Sequence, residues 1–104
     1  MALPKSLERR IRTVIAQVHE RRLAGSLAPV EETIQRWREG EGTVFAVDEA
    51  IHQHQFRSKR YWNLYAHAAA TSPQVLYILD EALELGLISP EQHRELAHMK
   101  RVAR

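Results

Sequence analysis

Cysteine is absent from this chain of 104 residues. Without cysteine the protein has no disulfide bond, no thiolate zinc site and no cysteine nucleophile. Any metal ion would therefore need histidine and carboxylate ligands. This single absence excludes many classes of thiol enzyme and zinc-binding domain.

Long apolar runs are also missing. No segment approaches the roughly 18 consecutive apolar residues that a membrane-spanning helix needs. Residues 1–12 lack the apolar region of a secretory signal peptide. We therefore expect a cytoplasmic protein that does not bind a membrane.

Recognisable catalytic motifs are the third absence. We find no nucleophile paired with a base, no glycine-rich phosphate loop and no cluster of paired carboxylates. We therefore expect neither an enzyme nor a cofactor. Glu49 with His52 is the one pair of side chains that we would test for catalysis.

The residues that are present predict an all-α protein. Hydrophobic residues form 44% of the chain, which suffices for one core in a single domain spanning residues 1–104. Apolar residues recur at helical spacing, beginning with Leu7, Ile11, Val14 and Val18. We predict a single-domain bundle of five or six short helices.

Glycine and proline set the predicted ends of the first two helices. Gly25 is expected to stop a first helix over residues 7–24, because glycine readily adopts the left-handed conformation that ends helices. Pro29 then suits the first turn of a second helix, which stops at Gly40. The two glycines between residues 40 and 43 predict the most flexible joint of the chain.

The middle of the chain is predicted to form two further helices. Thr43 can cap the third helix. The polar run over residues 55–60 predicts a break before the fourth, and one continuous helix to Thr71 is the alternative.

A helical hairpin is predicted at the C-terminal end. Gly86 ends one helix, and Ser89 with Pro90 begins the next. The stretch over residues 79–96, LDEALELGLISPEQHREL, resembles the helical hairpin of many short bacterial C-terminal domains. That resemblance concerns the fold alone. From about Lys100 we expect a frayed basic tail that includes Arg104.

A second resemblance lies around the joint. Its residues are Trp37-Arg38-x-Gly40 followed by Phe45-x-Val47-x-x-Ala50-Ile51-His52. This pattern resembles one in small bacterial helical proteins for which no activity is established. It implies a bacterial helical protein of about this size and no particular chemistry. Here Phe56, Arg57 and Ser58 stand where that pattern has a Gly-Pro break.

Three binding hypotheses follow, and the first is a metal site. Glu49 and His52 are one helical turn apart, as in the Glu-x-x-His elements of di-iron bundles. A second such element is missing from the sequence, so we expect no di-iron centre. A mononuclear zinc or iron site could still form from Glu49, His52 and His67 if the third and fourth helices pack as a hairpin.

The second hypothesis is nucleic-acid binding. The net charge is +2 and the pI is about 9.3. Arg57, Lys59 and Arg60 are followed by aromatic residues, which is the mixture that binds phosphates and stacks on bases. A convincing helix-turn-helix spacing is missing.

The third hypothesis, which we favour, is a protein-interaction or regulatory module that can form a homodimer. The third helix is predicted to be apolar on two sides, and such helices usually lie between partners. Trp37, Phe45 and Phe56 flank the joint or lie on the second side, so they are the predicted interaction residues. The partner is another protein or a second copy of the chain.

Overall fold

The computed structural model describes residues 4–102, and this part of the chain is all-helical. Four α-helices follow one another: α1 (Lys5–Arg38), α2 (Val44–Tyr61), α3 (Val75–Glu84) and α4 (Pro90–Val102). Residues Trp62–Ala66 prolong α2 as a π-helical turn. The predicted all-α class is confirmed, whereas the described residues form four α-helices rather than five or six.

The first two predicted helices are one continuous helix of 34 residues. Gly25 does not end it, and Pro29 lies inside it. Proline lacks an N–H group, so the hydrogen bond lost is the one to the Gly25 carbonyl, and the rest of the helix can continue. Ser26, between these residues, is buried against α2 and bonded to it. Packing along α2 thus overrides the two local stop signals.

The predicted break over residues 55–60 is also wrong. The segment contains no glycine or proline, so nothing in it prevents helical backbone. Its polar side chains are distributed around the helix, and Arg57 and Ser58 are partly buried. The helix therefore runs on into the π-helical turn and ends at Ala66.

Glycine and capping signals are confirmed at four helix ends. Gly40 and Gly86 have φ angles of 76° and 71°, in the left-handed region that glycine tolerates. Thr43 Oγ1 accepts a hydrogen bond from the Ala46 amide at 3.1 Å. Ser89 and Gln92 form a reciprocal capping box at the start of α4.

The C-terminal end of the chain differs from the prediction. The helix α4 continues to Val102, so the described residues after Met99 are helical rather than frayed. Lys100 is buried, and its Nζ donates to the Thr71 carbonyl at 2.9 Å. Arg104 lies outside the described residues.

The hydrophobic core occupies one end of the molecule. We call residues 5–25 and 58–102 the head, because they contain this core. Its buried members come from α1, the π-helical turn, the segment after that turn and the C-terminal hairpin: Leu7, Ile11, Val14, Ile15, Val18, Tyr65, Ala70, Val75, Ile78, Leu79, Ala82, Ile88, Leu96 and Ala97.

The remaining segment, residues 26–57, is a two-helix arm that projects from the head. It contains the end of α1, the joint and the start of α2. The radius of gyration is 17.5 Å, whereas a compact domain of this length has about 13 Å. The extents of 57 × 24 × 17 Å match the length of about 51 Å that α1 alone provides. None of the described helices is apolar enough over a sufficient length to cross a bilayer.

Candidate interaction surface

The arm leaves most of its apolar side chains exposed. Between residues 27 and 57, all of which the structure describes, only Val47 is buried. Phe45, Phe56 and Trp37 are 81%, 66% and 47% exposed. A pair of helices has no second layer to cover its two broad sides, so these residues contact solvent.

Exposed and half-buried apolar residues form one stripe along α1 and another along α2, and both stripes run from the arm into the adjoining part of the head. On α1 the stripe follows spacings of four and three: Leu23, Leu27, Val30, Ile34 and Trp37. On α2, Val44, Ile51 and Trp62 are seven and eleven residues apart. At about 100° per residue, both spacings return a side chain to within about 20° of the same direction.

The two stripes lie on the same side of the helix pair. One surface depression, of about 250 Å³, is lined by Ala16, His19 and Trp62, which continue both stripes toward the head. A second depression, lined by Pro29 and Arg57, opens between the same helices on the other side. We therefore define the apolar face as Leu27, Ile34, Trp37, Val44, Ile51 and Trp62.

The head does not cover the apolar face. The buried α1 residues Ile11, Val14 and Val18 belong to the core that α3 and α4 complete. On α1 they lie more than about 120° away from Leu27. The C-terminal hairpin therefore packs on the opposite side of α1.

Phe45 and Phe56 form a separate apolar strip. They are eleven residues apart and lie on the side of α2 turned away from α1, about 160° to 180° from the buried Val47. Two predicted interaction residues thus share this outer strip, whereas Trp37 belongs to the apolar face. The structure does not bring all three together.

Polar contacts hold the base of the arm. Arg57 Nε donates to Ser26 Oγ at 2.9 Å, and its Nη2 donates to the Ser26 carbonyl at 3.3 Å. Ser26 Oγ is also 2.9 Å from His54 Nδ1. These bonds join α1 and α2 where the apolar core ends, and the sequence gives no direct sign of this pairing.

The predicted nucleic-acid residues do not form one patch. Arg57 is partly buried and bonded to Ser26. Lys59 and Arg60 are exposed, but at about 100° per residue they point about 100° from each other. Because α2 is continuous here, Lys59 lies about 160° from Arg57, and the three cations do not share one side of the helix.

The predicted metal ligands are also far apart. Glu49 and His52 are exposed on α2, and His52 Nδ1 is 3.8 Å from Asp48 Oδ2. His67 is the residue directly after this helical run and follows Glu49 by 18 residues, or about 27 Å along the axis. The hairpin that would have joined them does not exist. Across residues 4–102, no group of three histidine or acidic side chains could hold a metal ion.

A polar network that sequence reasoning missed lies in the head. Tyr65 Oη donates to Glu81 Oε2 at 2.8 Å, and Arg22 donates to the same carboxylate at 2.8 Å. Burial, followed by the bond to Glu81, raises the pKa of Tyr65 to about 12. The hydrogen bond to Glu81 raises the pKa of Arg22. Helical periodicity alone does not reveal these partners of Glu81.

His19 lies beside the apolar face in an aromatic setting. Its ring contacts the Trp62 ring edge-on, with centroids 4.5 Å apart, and lies 5.5 Å from Tyr65. Its Nε2 is buried without a hydrogen-bond partner among the described residues. Burial lowers the pKa of His19. The neutral ring is therefore the stable form at this position.

Comparison with known proteins assigns no family to this arrangement. No protein-family model matches the chain, and no curated protein or solved structure matches it significantly.

Proposed function

We propose that the protein is a protein-interaction module that binds a partner through its arm. The observation that carries this proposal is the exposure of Trp37, Phe45 and Phe56 on a segment whose one buried apolar residue is Val47. Trp37 belongs to the apolar face, whereas Phe45 and Phe56 form the outer strip, and exposed apolar patches of this kind usually mark binding sites. The function is therefore binding or regulation, in the cytoplasm, rather than chemistry.

The distribution of apolar residues favours a binding role over a folding role. The head already has its own closed core, and the arm residues are not part of it. Removing apolar surface from water contributes about 25 cal/mol per Å², so covering several exposed aromatic side chains would stabilise a complex by several kcal/mol. The arm gains this free energy only when a partner covers it.

The other two hypotheses have less support. A nucleic-acid site would keep only Lys59 and Arg60, which point in different directions, because Arg57 is bonded within the chain. A metal site would need His67 to approach His52, and one continuous helical run separates them. We therefore propose neither.

Capture from a lysate of the source organism tests the proposed function. Tagged wild-type protein is compared with the triple variant Trp37→Ser, Phe45→Ser, Phe56→Ser. The control is Tyr77→Ser, because Tyr77 is 75% exposed but lies on α3 in the head. We expect wild type and the control to capture one or more polypeptides that the triple variant does not capture.

The captured set includes the protein's own untagged chain. Equal capture by all three proteins would refute the proposal. Circular dichroism of each variant at 222 nm checks that its helices remain folded, so that lost capture is not lost structure.

A further inference from the structure

We infer that the partner on the apolar face is a second copy of this chain. In this dimer two arms pack face to face and antiparallel, so that the tip of each arm lies on the head of the other copy. This inference rests on the proposed function and names its partner. The product is a four-helix bundle in which α1 packs on the partner's α1 and α2 on the partner's α2.

The size of the apolar face suits a weak but specific dimer. The face extends from the level of His19 and Trp62 to the level of Trp37 and Val44, which is about 27 Å at 1.5 Å per residue. Two packed helices are about 20 Å wide. Each copy would thus bury about 540 Å², or about 1,100 Å² in total. Specific interfaces begin near about 1,000 Å², and those of this size are often weak.

Positions on the two helices of the arm can be compared by level. His19 contacts Trp62, and Ser26 contacts His54, so residues of α1 and α2 at the same level have numbers that sum to about 81. In an antiparallel dimer, a twofold axis crosses the arm at one level. Two residues of α1 meet across that axis when they are equally distant from it.

The aromatic residues select the level of this axis. An axis at the level of residue 28 places Trp37 over the partner's His19 and Val44 over the partner's Trp62. The depression of about 250 Å³ beside His19 and Trp62 then receives the exposed Trp37 side chain. Apolar surface at each end of the face is covered by the opposite end of the partner's face.

The charges along both edges of the face agree with the same axis. Glu20 and Arg38 lie on the α1 edge, and they meet across an axis at residue 29. Asp48 and Lys59 lie on the α2 edge, level with residues 33 and 22 of α1. They meet across an axis midway between those two levels, at position 27.5 on α1. The two edges thus give the same position to within about 2 Å of helix length. Four ion pairs, two along each edge, would thus join the two copies.

The parallel arrangement, with both tips at one end, fits less well. It would place α1 on the partner's α2 at equal levels. Glu20 would then lie about 3 Å along the axis from the partner's Lys59, but Arg38 would lie about 7.5 Å from the partner's Asp48. Trp37 would meet the partner's Val44. The partner's Trp62 would lie over His19, so the two depressions would face each other and neither would receive Trp37. The antiparallel arrangement is therefore the one we propose.

Sedimentation equilibrium over about 5–500 μM protein is the first test. We expect a monomer–dimer equilibrium for wild type, with dissociation in the micromolar range. Trp37→Ser should weaken it at least tenfold, because buried aromatic side chains that fill a pocket of the partner contribute much of the binding free energy. Phe45→Ser is the matched control and should leave it unchanged, since Phe45 lies on the outer strip. A wild-type monomer throughout this range would overturn the inference.

A charge exchange tests the register of the two copies. Glu20→Arg and Arg38→Glu each place like charges together twice in the dimer, and we expect each to weaken dimerisation by about tenfold. The double exchange should restore the wild-type constant. Failure of this rescue, with both single variants weakened, would overturn the antiparallel register.

Oxidative cross-linking tests the direction of the arms, and the absence of native cysteine makes it clean. A mixture of the Glu20→Cys and Arg38→Cys single variants should form a covalent heterodimer. A mixture of Glu20→Cys and Lys59→Cys would do so only in the parallel arrangement, and that result would overturn the proposal. A mixture of Glu20→Cys with Tyr77→Cys controls for random collision.

These outcomes separate the inference from the proposed function. A monomer in the ultracentrifuge together with arm-dependent capture of another polypeptide would refute the self-association and leave the interaction module standing. A monomer together with capture that ignores the arm variants would refute both.

Discussion

Alkaline titration of Tyr65 should destabilise the protein. The Tyr65 hydroxyl donates to a Glu81 carboxylate oxygen at 2.8 Å, and burial raises the pKa of Tyr65 to about 12. Loss of the proton would place two anions in contact. Because the folded-state pKa lies above the unfolded value of about 10, the stabilisation is fully present below pH 10. It is lost as the pH rises toward 12.

The size of the effect follows from the difference in pKa. One pKa unit corresponds to about 1.4 kcal/mol, so a difference of about two units sets an upper limit of about 2.7 kcal/mol. The Glu81 and Arg22 side chains are 25% and 36% exposed, and water screens their charges. We therefore expect a loss of about 1–1.5 kcal/mol in the free energy of unfolding between pH 9.5 and 11.5.

Urea unfolding monitored by circular dichroism measures this loss in wild type and in Tyr65→Phe. The variant should be less stable at neutral pH by about 1–2 kcal/mol, because a hydrogen bond to a charged group is removed. Its stability should fall less steeply above pH 9.5. Tyr77→Phe is the control for an exposed tyrosine and should follow wild type. Parallel declines for wild type and Tyr65→Phe would show that Tyr65 does not titrate as described.

Three further predictions concern His19, the helix glycines and the base of the arm. Because burial lowers the pKa of His19, its neutral side chain stabilises the folded protein above about pH 6.5, and this stabilisation is lost as the pH falls. At low micromolar protein, the free energy of unfolding should therefore fall less steeply between pH 7 and 5 for His19→Phe than for wild type. Gly25→Ala should stabilise the protein by about 0.5–1 kcal/mol, since Gly25 is helical and nothing lies within 4 Å of the added Cβ. Gly86→Ala should destabilise it by about 1–2 kcal/mol, because the φ angle of Gly86 is 71°. The two variants should shift the melting temperature in opposite directions. Arg57→Ala removes the hydrogen bonds to Ser26 at the base of the arm, so it should speed amide hydrogen exchange in the arm by about tenfold and leave exchange in the head unchanged. Equal acceleration in both parts would contradict this.

Local signals predicted the helix ends that are set by a residue's own backbone conformation or by its own capping side chain. Gly40 and Gly86 end helices because the chain needs a positive φ there, and Thr43 caps α2 with its own side chain. The signals at Gly25 and Pro29 failed, because a proline inside a helix removes one hydrogen bond and packing of α1 along α2 outweighs that loss. No periodicity in a single segment reveals a neighbour so distant in sequence.

The candidate surface was predicted in part for the same reason. The sequence indicates that the helix after Thr43 is apolar on two sides, and the structure shows that Phe45 and Phe56 on the second side are exposed. Val44, Ile51 and Trp62 share a second direction at helical spacing, and these residues are exposed as well. Their periodicity correctly marks a stripe, yet periodicity cannot tell a stripe that the chain covers from one that it leaves open.

The structure implies that folding and binding are coupled in the arm. The head is closed by a core of fourteen buried residues, whereas the arm is held by Val47 and by the bonds of Ser26, His54 and Arg57. Local opening of the arm therefore costs much less free energy than opening of the head. A second copy that covers the apolar face binds only the closed arm, so it must raise the free energy of opening as its concentration rises.

Amide exchange in the arm should consequently slow with increasing protein concentration, while exchange in the core of the head stays constant. Trp37→Ser should abolish this concentration dependence and Phe45→Ser should retain it, which ties the stability of the arm to the same contact that forms the dimer.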